Sequence, residues 1–184
     1  MANPDERLIP LESKTKLTKR GLLGYLDLIN VYINKSLAWI AGISLLLMVF
    51  VVVANAVSRE VYKPFIGTTE LVGWLAAIAL AFGLGFTQLQ QGYVEIDALV
   101  EHFSPLLQRI IKSIMLFLSA CFFFMVSWKM VSYAINVAEN GNVSETMKIP
   151  FYPLIYLVAL GFTGLTLALF VDFVKEVVGR AGDE

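Results

Sequence analysis

Charge, histidine and cysteine are all scarce in this chain. Only 16% of its 184 residues are charged, against roughly 25% in an ordinary soluble domain. A further 58% are apolar, so most of the chain has to be solvated by something other than water. Basic and acidic residues nearly cancel, at 14 and 15, and the isoelectric point is about 5.9. That balance argues against nucleic acid as a partner, because binding to phosphates draws on an excess of Lys and Arg. One cysteine, Cys121, lies within an apolar run, so no intrachain disulfide or multi-cysteine metal site can form. One histidine, His102, excludes a haem held by two histidines of the same chain. The same shortage removes His-dependent triads and two-metal sites. No catalytic residue, cofactor or metal site is expected.

What is present is a set of long uncharged runs. A helix rises about 1.5 Å per residue and the hydrocarbon layer is about 30 Å thick, so a span needs roughly 20 residues without charge. No Asp, Glu, Lys or Arg occurs from Ser36 to Ser58, from Leu71 to Val94 or from Ile149 to Val171. A fourth run, Ser113 to Ala138, is interrupted only by Lys129, with 16 uncharged residues before it and nine after. A lysine so placed can snorkel to the headgroups. The expectation is an all-α integral membrane protein with four spans, near 36–58, 70–91, 106–138 and 150–174, plus interfacial amphipathic helices. Ala54-Asn55-Ala56 imitates a signal-peptidase site, but the polar lead of 35 residues exceeds signal-peptide proportions, so the first helix reads as retained.

Residues 1–20 carry Arg7, Lys14, Lys16, Lys19 and Arg20 and read as a flexible cytoplasmic tail. Over 21–35, Leu22, Leu26, Ile29 and Ile33 share one face, with Asp27, Asn34 and Lys35 on others. That pattern fits an amphipathic helix in the membrane interface, or a cytosolic extension of the first span. Thr68 or Thr69 can cap the second span, with Glu70 in its first turn. Ser104-Pro105 opens the third, and Pro150 and Pro153 mark the fourth. Between the second and third spans, Val94, Ile96, Leu99, Val100, Phe103 and Leu107 alternate with Glu95, Asp97, Glu101 and His102, which reads as a further interfacial segment. Residues 175–184 form a second tail. With both termini inside, ten of the 14 basic residues lie inside and four outside, which favours cytoplasmic termini.

Carriers keep ionisable groups within the bilayer despite a cost of about 2.5–3.5 kcal/mol at mid-helix, and many build midplane sites from broken helices and inverted repeats. The first, second and fourth spans in chain order have no such groups, and no span shows a Gly/Pro-broken pair. What remains is surface for other helices. Gly73, Ala77, Ala81 and Gly85 recur every fourth residue, forming a ridge with almost no side chain, the kind that lets a second backbone come close. That neighbour can belong to this subunit or to another. Gly161, Gly164 and Ala168 form a weaker stripe. Trp39, Trp74, Trp128, Tyr152 and Tyr156 lie toward span ends, as headgroup-belt anchors do. Composition alone also accommodates an anchor subunit of another complex, or a self-sufficient small transporter or channel.

The first span ending in Ser58-Arg59, the Thr69-Glu70-Leu71 opening of the second, and Tyr93-Val94-Glu95-Ile96-Asp97-Ala98-Leu99 after it resemble the small, DctQ-type membrane subunit of tripartite ATP-independent periplasmic (TRAP) transporters. The likeness covers roughly residues 36–174. The family often has two acids before the leucine, where this chain has Thr69 and Glu70. The resemblance implies a bacterial or archaeal inner-membrane complex. In it, a large membrane subunit moves substrate and sodium ions, and an extracytoplasmic substrate-binding protein delivers an organic acid. The small subunit would then be a scaffold among membrane lipids, bracing the stationary part of the large one. On that reading the subunit-interface candidates are Arg59, Glu70, Gly73, Ala77, Ala81, Gly85 and Asp97, with Arg59 and Glu70 expected to contact each other or the large subunit.

Overall fold

The computed structural model describes residues 11–61, 63, 65–90 and 105–180. They form four helices: α1 (Leu11–Val61), α2 (Thr68–Leu89), α3 (Pro105–Glu139) and α4 (Tyr152–Arg180). All four are long and apolar enough to cross a membrane, so the chain is an all-α, multi-pass membrane protein. Asp97, His102 and the interfacial segment around them lie outside the described residues.

Proline placement explains the helix limits. No proline occurs between Pro10 and Pro64, and α1 fills that interval as one helix of 51 residues, roughly 75 Å long. Residues 11–20, read from composition as tail, are therefore helical, and residues 21–35 continue into the first span without a break, as the second of their two readings had it. Pro105 is the first residue of α3, a position where its missing N–H costs nothing. Pro150 instead pairs with Val143 in an isolated antiparallel bridge, and α4 begins two residues later and runs through to Arg180. With 22 residues, α2 is about 33 Å long and matches the hydrocarbon layer closely.

The start of α2 departs from the capping expected of its threonines. Gly67 is the N-cap, in the left-handed region at φ 94, and no side chain caps the helix. Thr68 Oγ1 donates to Phe65 O at 2.8 Å, so its hydroxyl tightens the preceding turn instead of receiving an α2 amide. Asn55 Oδ1 accepts from Phe65 N at 3.0 Å, and Ser58 Oγ donates to Lys63 O at 2.7 Å. Together these bonds close the α1–α2 hairpin.

In the bundle α1 packs on α2, α2 on α4, and α4 on α3, with α1 also touching α4. Half of the α4 span is buried, against about a fifth of each of the others. Leu37, Ala41, Ala81, Phe82 and Val158 form one core cluster; Ala120, Leu165 and Leu169 form a second; Ala134, Val137 and Ile155 form a third. Small residues set the spacing. A Cβ on Gly161 would stand 2.7 Å from the Ala81 carbonyl and from the Phe82 ring, closer than atoms can pack. On the outside, Trp39, Leu46, Phe50, Leu118, Phe122 and Trp128 are exposed, as suits side chains solvated by hydrocarbon.

Gly161→Val should lower the thermal midpoint of the detergent-solubilised chain, with an overpacking cost of about 1–3 kcal/mol. Gly73 has no atom within 4 Å of the space its Cβ would take, so Gly73→Val should leave the midpoint unchanged. Equal losses would show that the α2–α4 approach does not limit stability.

Candidate functional site

Polar contacts between residues from separate parts of the chain tie the helices together. The deepest is an asparagine pair. Asn30 and Asn34 are one helical turn apart on α1 and both are fully buried. Asn34 Nδ2 donates to Asn30 Oδ1 at 2.8 Å, to Asn30 O at 3.1 Å and to Gly164 O of α4 at 3.3 Å. Asn34 Oδ1 fills the space that a Cβ on Gly85 of α2 would need. The amide thus sits in a slot between two glycines and fixes the level at which α1 crosses α2 and α4.

This arrangement turns the amphipathic pattern of α1 around. Leu26, Ile29 and Ile33 are exposed, while Asn30, Asn34, Leu37 and Ala41 face the bundle. In a bilayer the outside is the apolar solvent, so an apolar face can point outward and a short amide can be kept for helix contact. Sequence reasoning placed Asn34 on a polar face. The sign that would have identified it is its spacing, since Asn30, Asn34, Leu37 and Ala41 fall at offsets 0, 4, 7 and 11.

Glu70 makes the second contact. Its Oε2 accepts from Ser144 Oγ at 2.8 Å and from Met147 N at 3.1 Å, and its Oε1 accepts from Thr146 N at 3.2 Å. The α3–α4 loop is shaped to offer these donors. Gly141 turns it at φ 63 and Lys148 at φ 55, and Ser144 N bonds to Ile149 O at 2.9 Å. Glu70 is thereby committed to its own chain, and the expected pairing with Arg59 does not form; Arg59 is exposed on the last turn of α1. At the opposite end, Lys175 Nζ lies 2.6 Å from Asp27 Oδ1 and 3.8 Å from Asp172 Oδ1. Gln88 Nε2 donates to Asp172 Oδ2 at 2.8 Å. This third contact joins α1, α2 and α4 at the end of the bundle that carries both termini.

The small-residue ridge divides in two. Ala81 is 2% exposed, set against Gly161, and Gly85 is closed by Asn34 and Leu165. Ala77 packs on the first core cluster. These positions form a seam inside the subunit, in place of the intersubunit surface considered from their spacing. Gly73 alone of the four is exposed. Between α3 and α4, Ser127 Oγ donates to Ala159 O at 3.1 Å and lies 2.8 Å from Thr163 Oγ1. Among the described residues, no group of three His, Cys, Asp or Glu could hold a metal ion.

Asn34→Ala should cost about 1 kcal/mol of bundle stability in detergent unfolding, the scale of an interhelical bond in lipid. An unchanged midpoint would make the asparagine pair incidental. Glu70→Ala should speed hydrogen exchange at the Thr146 and Met147 amides severalfold and leave α1 unaffected; unchanged exchange there would mean that the loop holds its shape unaided.

The description "Tripartite ATP-independent periplasmic transporters, DctQ component" belongs to the family model that matches residues 48–179. A curated relative, the ectoine TRAP transporter small permease protein TeaB of Halomonas elongata, is 24% identical over 171 residues, covering 92% of this chain and 88% of the relative. No solved structure matches the chain. With the matched region reaching from the last third of α1 to the end of α4, the chain belongs to the DctQ family, the small permease component of TRAP transporters.

Proposed function

We propose that this chain is the scaffold subunit of a sodium-coupled transporter that takes up an organic acid. Its partners would be a large TRAP membrane subunit and an extracytoplasmic substrate-binding protein. The observation that supports this reading best is how the interior polarity is used. Asn34, Ser127 and Thr163 bond neighbouring helices or their own backbone, and Glu70 is tied to a loop. Such groups hold helices in place; a transport path through the bundle would need groups that exchange partners with a moving ion or substrate.

On this reading both termini are cytoplasmic, in a bacterial or archaeal inner membrane, as the bias of basic residues suggests. The large subunit would carry the substrate and sodium sites and move against this stationary bundle. Arg59 and Gly73, both exposed toward the outer end on this topology, are the proposed contacts with it, and Asp97 is a third from the segment outside the described residues. The Halomonas elongata relative is, by its name, the small permease protein of an ectoine TRAP transporter, which supports the subunit reading.

Purification of the chain from its native membrane in mild detergent should recover a much larger polytopic protein in near-equal amount. Vesicles containing this chain alone should show no substrate flux, and flux should appear when the large subunit and binding protein are added. Flux through the chain alone would overturn the scaffold reading.

A further inference from the structure

α3 packs along α4 and stands off α1 and α2. The gap on the terminus-bearing side is a cavity of about 940 Å³, bordered by all four helices. Its wall changes character along its length. At one end it carries Asp27, Lys112, Asp172, Lys175 and Glu176; at the other it carries Leu84, Leu116, Phe123 and Leu169. From Lys112 to Phe123, α3 advances about 16 Å, so the cavity is a deep slot with a charged mouth and an apolar floor.

Three lysines and three acids line the cavity, but they are unevenly paired: Glu176 forms no ion pair among the described residues. Lys175 is taken by Asp27 and Asp172. Lys35 and Lys112 also line the cavity and form no ion pair with an acid among the described residues. Depth makes Lys35 unusual. It follows Asp27 on α1 by eight residues, or about 12 Å, and Asp27 is level with Lys175, beyond the uncharged run that ends at Val171. The Lys35 stem therefore starts well inside the level of the bordering charges, and a helical side chain leans toward its own N-terminus, here back toward the mouth. The site offers two ammonium groups from opposite walls to an anion and an apolar slot below them to a chain.

We infer that this cavity holds one membrane phospholipid, with its phosphate against Lys35 and Lys112 and an acyl chain along Leu116, Phe123 and Leu169. A small free anion would leave the apolar floor unfilled, losing the contacts that close packing supplies, and a pure hydrocarbon chain would leave the two unpaired lysines facing a single unpaired acid, Glu176. A lipid satisfies both ends. Seated there, it acts as a wedge that fixes the distance between α3 and the α1–α2 pair.

The test is native mass spectrometry of the full chain, produced without other subunits and extracted in mild detergent, with co-purified phospholipid counted per chain. Wild type should retain about one phospholipid. Lys35→Ala combined with Lys112→Ala should weaken that retention about thirtyfold, at about 1 kcal/mol per basic residue near a lipid surface. Ser119→Trp, which fills the slot from a cavity-lining position and leaves the charges in place, should lower it too. Lys148→Ala, in the α3–α4 loop at the opposite end, should not, and excess inorganic phosphate should not displace the lipid. Helicity by circular dichroism checks that each variant is folded. A wild-type chain that carries no phospholipid, folded slot and lysine variants that retain it fully, or displacement by inorganic phosphate would each overturn the inference. Because the count is made on this chain without a second subunit, its outcome is separate from that of the scaffold reading.

Discussion

The close approach of α2 and α4 at Gly161 is the contact on which the rest of the bundle depends. Lipid gives helices no hydrophobic reason to associate, so attraction has to come from backbones near enough for dispersion and from a few interhelical hydrogen bonds. Gly161 lets the Ala81 carbonyl come within the radius a side chain would occupy, and Phe82 and Val158 pack around the crossing. Once α2 and α4 are that close, Gly85 and Gly164 frame the slot that Asn34 enters. The α1 position is then decided by one amide. α3 joins through α4 and leaves the open slot on its other side.

Polar groups in this chain are placed where they hold helices in register. Glu70 brings the start of α2 to the α3–α4 loop, and Asp27, Asp172, Lys175 and Gln88 join three helices at the other end. The two contacts lie near opposite ends of the bundle with the asparagine pair between them. A body braced at three levels suits a component against which another subunit moves, and membership of the DctQ family is consistent with such a use.

α1 shows how strongly the solvent decides which face is which. Its apolar residues at 26, 29 and 33 point outward and its asparagines inward, the reverse of a helix on a soluble core. The same rule explains why most of α1 and α3 is exposed apolar surface while α4, in contact with each of the other helices, is lined by small residues and Leu.

The sequence by itself determined the number of spans, because twenty or so uncharged residues have one economical use, and it determined where helices can stop, because proline lacks an N–H and restricts the residue before it. Short motifs around Arg59, Glu70 and Asp97 were enough to point to the family. Only the tertiary structure decided what the small residues and asparagines do. A Gly73–Gly85 ridge reads the same whether its neighbour is α4 of this chain or a helix of another, and an asparagine on an amphipathic pattern reads as surface until Gly164 and Gly85 are seen to enclose it. The Glu70 latch was equally hidden, because its donors lie more than seventy residues away along the chain. Contacts of that separation come from the folding of the chain in space, and local spacing carries no trace of them.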